Sequence, residues 1–318
     1  MTSPLLNRKS LIAVAQEATP GTAETLDAGD AALVVYDLAC PPDIPMTERK
    51  APGRPGRISS VVGAYSGRVT FKTDLYGGGV AVPVPAIADL LLPACGFIKT
   101  SSTFARSLLP PEADGAATKT VTIGVYKDGK FRKLHGAMGT VKFLFPAGQK
   151  AYAEWSFLGV WNAVTDAAML SATYPAYTPL RASAGSLTLT YGSDAWTPRA
   201  QELSLDLGNQ LHLLPDVLKA SGFHCCCIPD YQMGGSINPL STLVADHDLF
   251  GHLLAGHEMA LAYTLGSVAG YRITFSAPAL QFSSVQEGDR DGVEIDSIDF
   301  QLNTLAAAGA DELTILFS

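Results

Sequence analysis

The chain has 318 residues, 47% of them hydrophobic and 16% charged, with a formal net charge of −8. That length supplies one large domain or two of ordinary size, with ample apolar material for a core. The acidic balance argues against a surface that grips nucleic acid by releasing counterions, and the low charge content predicts a surface covered in large part by partners.

In chain order, MTSPLLNRKSLIAVAQEATPGT holds no apolar run long enough for a secretion signal, and IADLLLPACGF falls short of a membrane span. No membrane contact is expected. Five cysteines, an odd number, fit a reducing cytoplasm better than a disulfide framework. Residues 1–60 are rich in Gly, Pro and small polar residues and read as an N-terminal arm and long loop, with one strand in ALVVYDLA.

From there period-two alternation takes over. In RVTFKTDLYG, Val69, Phe71 and Leu75 share one face, and Lys72 and Asp74 share the other. TVKFLFPAGQKAYAEWSFLG predicts a hairpin with Pro146, Ala147 and Gly148 at its tip. SLTLTYG and AQELSLDLGN alternate, EMALAYTLGSVAGYRITFSAPALQF predicts another hairpin, and DELTILF closes the chain. In GVEIDSIDFQL the apolar phase moves from Val293 and Ile295 to Ile298, Phe300 and Leu302, which predicts a β-bulge near Ser297. PAIADLLLPACGF and LLPDVLKASGF read as short helices ending at glycine; DHDLFGHLLAGH is a third candidate, weakened by Gly251.

An internal repeat accompanies these elements. LLPACGF at 91–97 matches VLKASGF at 217–223, and Asp74–Leu75 aligns with Asp206–Leu207. The hairpin around 141–157 resembles the one around 259–276. Two tandem domains are expected, 61–178 and 179–318, behind the arm.

The motifs that invite chemistry do not assemble it. Cys225, Cys226 and Cys227 alternate between two faces of a strand and lack the second ligand pair of a zinc site, so they predict a buried strand. His247, His252 and His257 are spaced by five, which rotates them away from a common helix face. Asp289, Asp291 and Gly292 predict a turn, because position 298 is Ile where a calcium loop needs Glu. No G-x-S-x-G occurs, and YGGG lacks the Lys-Ser/Thr of a phosphate loop. No enzymatic activity, cofactor or metal is expected.

Several stretches carry a resemblance: KSLIAVAQEATPGTAETLDAGDAALVVYD, YSGRVTFKTDLYGGG, LLPACGF, VYKDGKFRKLHGAMGTVKFLFPAGQKAYAEWSFLG and ITFSAPALQFSSVQEGDRDGVEIDSIDFQLN. From about residue 9 to 317 the chain resembles the major tail tube proteins of long-tailed bacteriophages. The resemblance implies a mainly β fold of tail-tube-type β-sandwich or barrel domains, each with a short flanking helix. It implies a virion tail protein assembled in the host cytoplasm, whose rings stack into a conduit for DNA ejection. Tape-measure, terminator and distal-tail proteins would be its partners. Rings of this family usually hold six single domains, so two domains per chain imply three chains in a pseudo-six-fold ring, with a hexamer as the alternative. Double-stranded DNA would pass through the lumen without specific binding. Asp74, Glu202, Asp206, Glu294, Asp296 and Asp299 lie on polar strand faces and are expected to line that lumen, where carboxylates repel phosphates. The competing readings are another tail component of the same fold, and a monomeric β-sandwich binding module using Trp155, Trp161 and Trp196.

Overall fold

A computed structural model describes residues 5–6, 9–50, 53, 58–106, 119–306 and 311–318. The alternating stretches become antiparallel strands. β1 (Ser10–Gln16), β2 (Tyr36–Ala39), β3 (Pro42–Asp43), β4 (Met46–Arg49), β5 (Ile58–Val62) and β6 (Ser66–Asp74) precede helix α1 (Ala86–Ala94). β7 (Phe97–Thr100), β8 (Thr103–Arg106), β9 (Val121–Lys127), β10 (Lys130–Pro146), β11 (Tyr152–Trp161) and β12 (Thr165–Asp166) complete the first half. The second half holds β13 (Ser186–Tyr191), β14 (Asp194–Trp196), β15 (Ala200–Asp206), β16 (Asn209–Pro215), β17 (Phe223–Tyr231) and β18 (Gly234–Pro239). Helix α2 (Leu249–Ala255), β19 (Glu258–Leu265), β20 (Ile273–Arg290), β21 (Val293–Asn303) and β22 (Thr314–Phe317) follow.

The two halves repeat one order of pairing. In the first, β1–β9–β10–β11–β6–β2 are neighbours. In the second, β13–β19–β20–β21–β18–β15 are neighbours. α1 lies between β6 and β9, and α2 between β18 and β19. Each half also carries a separate two-stranded hairpin, β4–β5 before β6 and β16–β17 before β18. The halves fuse where Lys142–Pro146 of β10 pairs with Glu202–Asp206 of β15. The result is one continuous run, β2–β6–β11–β10–β15–β18–β21–β20. β22 bridges β20 and β8, tying the last strand to the first half.

One core serves both halves. Phe143 and Phe145 of β10 meet Phe275 of β20 at 5.1 and 5.2 Å between ring centroids. Trp155 stacks on Phe157 and donates from Nε1 to Thr73 Oγ1 at 2.9 Å, so its polar edge is satisfied inside the core. Trp155, Trp161 and Trp196 are all buried, so the three tryptophans that a groove-binding module would use are core residues instead.

Two sequence expectations are corrected. LLPDVLKASGF is no helix but the end of β16, a turn and the start of β17. Asp216 organises the turn, its Oδ1 accepting from Leu218 N at 2.8 Å, and Val217 and Leu218 stand 97% and 91% exposed. A helix there would have no apolar face to bury. The counterpart of α1 in pairing order is α2: Asp248 accepts from Gly251 N at 2.8 Å, and Gly256 ends the helix at φ 63°. β6 thus corresponds in pairing order to β18 rather than to β15. The second correction concerns the bulge, which lies in β20 between Phe282 and Ser284 and not in β21. β21 alternates without interruption, and Asp296 joins Ile298, Phe300 and Leu302 on the inward face.

Candidate functional site

The core-facing side of the fused sheet is apolar, and its opposite face is polar. Cross-strand register lines up Lys72, Glu154, Lys142, Asp206, Gly234, Gln301 and Gln281 in one row across seven strands. The next row on the same face is Tyr152, Leu144, Ser204, Ser236, Asp299 and Ser284. Lys72 Nζ lies 3.0 Å from Glu154 and 3.4 Å from Asp37, and the Glu154 hydrogen bond holds the Lys72 pKa above its ordinary value. Arg68 donates to Ser156 Oγ at 2.8 Å. A concavity of about 420 Å³ opens here, with Thr70, Lys72, Lys142, Glu154 and Asp206 among its walls. This is a broad, shallow, charge-interleaved face.

The expected acidic residues do not all share it. Asp206 and Asp299 stand on the polar face, and Glu202 lies opposite Pro146 at the end of the same β10–β15 ladder. Asp74 lies opposite Tyr152 on the same face but is buried there, where it accepts from Tyr36 Oη at 2.9 Å and Tyr177 Oη at 3.2 Å and pairs with Lys150 Nζ at 2.6 Å. It pins strands together and offers little charge to solvent. Glu294 and Asp296 point to the other side of β21 from Asp299, and Asp296 is only 2% exposed. Lys72 shares this face with Asp74 as alternation predicts, and the cations Arg68 and Lys142 are the part of the face that the sequence does not single out. The one signal for Lys142 is its place between Val141 and Phe143 in an alternating strand.

The cysteine run forms part of β17. Cys226 packs with Met138, Val160 and Leu213, and burial pushes its thiol up to about 12. Among the described residues no group of three His, Cys, Asp or Glu side chains is placed to hold a metal ion. Among the described residues no helix is long and apolar enough to cross a membrane.

The histidines behave differently from their helical spacing. α2 stops at Gly256 and the chain reverses, which brings His252 Nδ1 within 3.0 Å of His257 Nδ1 and stacks Tyr191 on His257 at 4.2 Å. Burial first, then His257, lowers the His252 pKa from 6.5, against the opposing pull of Asp248 and Asp194. A histidine with a lowered folded pKa stabilises the fold above its unfolded value and loses that contribution as pH falls through it. Melting temperature is therefore expected to drop between pH 7 and pH 5, and His252→Gln to show a shallower drop in parallel melting curves. Identical pH profiles for both proteins would refute this.

The fold is a continuous antiparallel sheet with one apolar face and one charge-interleaved face, and among the described residues no strand pairs with the outer side of β2 or with the outer edge of β20 beyond Gln281. Residues 7–302 match the family model described as phage tail tube protein, and the chain belongs to that family. It is a structural protein of the phage tail. No curated protein matches the chain.

Proposed function

We propose that three copies of the chain close a ring, and that rings stack into the tube through which DNA leaves the virion. The observation that carries this reading is the ladder between β10 and β15. β15 holds in the second half the place that β2 holds in the first, and β10 holds the place of β20. The same joint is therefore available between copies: the outer edge of β2 in one chain meets the free edge of β20 beyond Val285 in the next. Such a head-to-tail contact closes into a ring when its rotation permits, and it leaves no edge exposed. Two tandem units, 61–178 and 179–318, supply the pseudo-six-fold repeat, with β1 and β2 from residues 1–60 completing the first.

The polar face lines the lumen in this arrangement. Lys72 is paired with Glu154 and Asp37, and Lys142 stands in register between Glu154 and Asp206, so carboxylates flank both lysines, while Asp206 and Asp299 repel phosphates. DNA passes without being held. Tape-measure, terminator and distal-tail proteins would bound the tube at its length and ends, after assembly in the host cytoplasm.

Electron microscopy of the concentrated protein tests this reading. Hollow rings containing three copies, stacked on one axis, are the expected result. Rings of six copies would refute the pseudo-six-fold arrangement, and a chain that stays monomeric beside its tail partners would refute ring assembly.

A further inference from the structure

Helix α2 is held by few contacts of its own. It has seven residues, and a helix that short is marginal alone in water. Leu249 is its one buried side chain, while Phe250 and Leu254 are exposed. Its C-terminal end is closed by a cluster of rings. Tyr191 of β13 meets His252 edge-on at 4.9 Å and stacks on His257 at 4.2 Å, and His247 packs on Trp196 of β14 at 5.1 Å. The Nδ1 atoms of His252 and His257 lie 3.0 Å apart, and His257 N donates to His252 O at 3.1 Å. His247 and Asp248 face the pair from the start of α2, and Tyr191 and Asp194 face it from β13 and β14. Glu258 of β19 turns to Asn303, and the neighbour from β20 is the uncharged Gln281.

The contact between the two imidazoles depends on proton count. With both rings neutral, one Nδ1 donates and the other accepts. With one added proton, an imidazolium donates to a neutral ring, and Asp194 and Asp248 favour that charge. With two, both Nδ1 atoms carry hydrogen, neither accepts, and two positive charges face each other at contact distance. The pair stays shut through the first protonation and opens on the second.

Opening reaches the edge of the sheet. Gln281 Nε2 donates to Gly256 O at 2.9 Å, and Gln281 Oε1 accepts from Gln301 Nε2 at 2.8 Å and Asn303 Nδ2 at 3.2 Å. Gln281 is also the last residue of β20 that pairs with β19. The outer edge that would receive β2 of the next copy begins there. The counterpart helix α1 has no histidine and ends at Ala94 and Cys95, both fully buried. The joint inside the chain thus has no titrating pair beside it, and the joint between copies has one.

We propose that His252 and His257 form a proton-operated clasp on ring closure: a second proton frees α2 and the start of β19, and β20 loses the support beside which it receives the next copy. The coupling to closure rests on the ring reading, and the clasp itself does not.

Hydrogen exchange of the unassembled full-length chain, corrected for the intrinsic effect of pH on amide exchange, reads the clasp. The amides of His252, Gly256 and His257 bond within this turn. Their protection is expected to fall about tenfold per pH unit once the second proton binds, while β10 and β11 keep theirs. His252→Gln and His257→Gln, made separately, each leave one ring that never faces a second charge, and either should hold its protection from pH 7 to pH 5. Electron microscopy at the same two pH values reads the coupling: the wild type should lose rings at pH 5 and the two variants should keep them. Equal protection of these amides at both pH values in the wild type would overturn the clasp. Opening with undiminished rings at pH 5 would overturn the coupling and leave the ring reading intact. Rings absent at both pH values, even beside the tail partners, would overturn the ring reading and the coupling with it, and exchange would still decide the clasp.

Discussion

Glu17→Ala is expected to lower the free energy of unfolding of the unassembled chain by about 3–5 kcal/mol. Glu17 follows β1 and is only 3% exposed. Its Oε1 accepts from Thr122 Oγ1 at 2.8 Å and from Gly136 N at 2.7 Å. Its Oε2 accepts from Thr120 Oγ1 at 2.7 Å and from Gly21 N at 2.9 Å. Truncation leaves these donors without their acceptor, and each buried unsatisfied donor costs about 1–3 kcal/mol unless water replaces the carboxylate. Rotation of the two hydroxyls recovers part of the sum, which sets the expected value below the full total. Glu17→Gln keeps one acceptor oxygen and turns an amide NH₂ toward two donors, so its loss should fall between wild type and Glu17→Ala. The damage should spread to β17, because Gly21 and Gly136 form the seat for His224 and Cys225. Urea titration of the three proteins measures this order. A loss under about 1 kcal/mol for Glu17→Ala would mean that water fills the site as well as the carboxylate does.

Nothing in the local sequence marks Glu17. A single carboxylate in QEATPGT looks like surface, and three of its four donors, Thr120, Thr122 and Gly136, lie more than a hundred residues away. The contrast with the strands is instructive. β6, β10 and β11 were legible because one face must be apolar, and alternation records that demand directly. The same rule misplaces the bulge: Ile295 reads as inward because it is apolar, while the inward residue is Asp296. LLPDVLKASGF has local features of a helix end, yet tertiary context supplies no surface for Val217 and Leu218 to meet. The charged row across the sheet was only half legible. Alternation places Lys72 and Asp74 on one face, but which charge faces which across strands depends on register, and register is set by turns and bulges elsewhere. Attention to carboxylates alone gave an acidic face, whereas the sheet interleaves Lys72, Glu154, Lys142 and Asp206.

Glu287→Pro is expected to leave the chain folded and to abolish ring closure. The direction of each amide in β20 follows from its turn. Asp291 and Gly292 both have positive φ, 53° and 82°, as a two-residue type I′ turn requires. The flanking pair, Arg290 and Val293, then exchanges both hydrogen bonds, and the pattern alternates along the ladder. Arg290, Gln286 and Gly288 direct their N–H groups to β21, while Val285, Glu287 and Asp289 direct theirs outward. Among the described residues no strand pairs with this outer edge beyond Gln281. Proline at 287 therefore removes no bond inside the chain, and an edge position with its N–H directed outward is a setting in which a strand accepts it. It does remove a donor from the edge that β2 of the next copy would join, and its ring fills the space the partner strand needs. Gln286→Pro is the contrasting variant: its N–H faces β21, so it should cost about 3 kcal/mol or more in the chain itself. Glu287→Ala separates loss of the side chain from loss of the donor and should assemble normally. Melting curves and electron microscopy of the three variants distinguish the outcomes. If Glu287→Pro melts near wild type and yields no rings, closure runs through the outer edge of β20. If it builds normal rings, the copies are joined elsewhere, and the intrachain β10–β15 ladder is not the template for the contact between them.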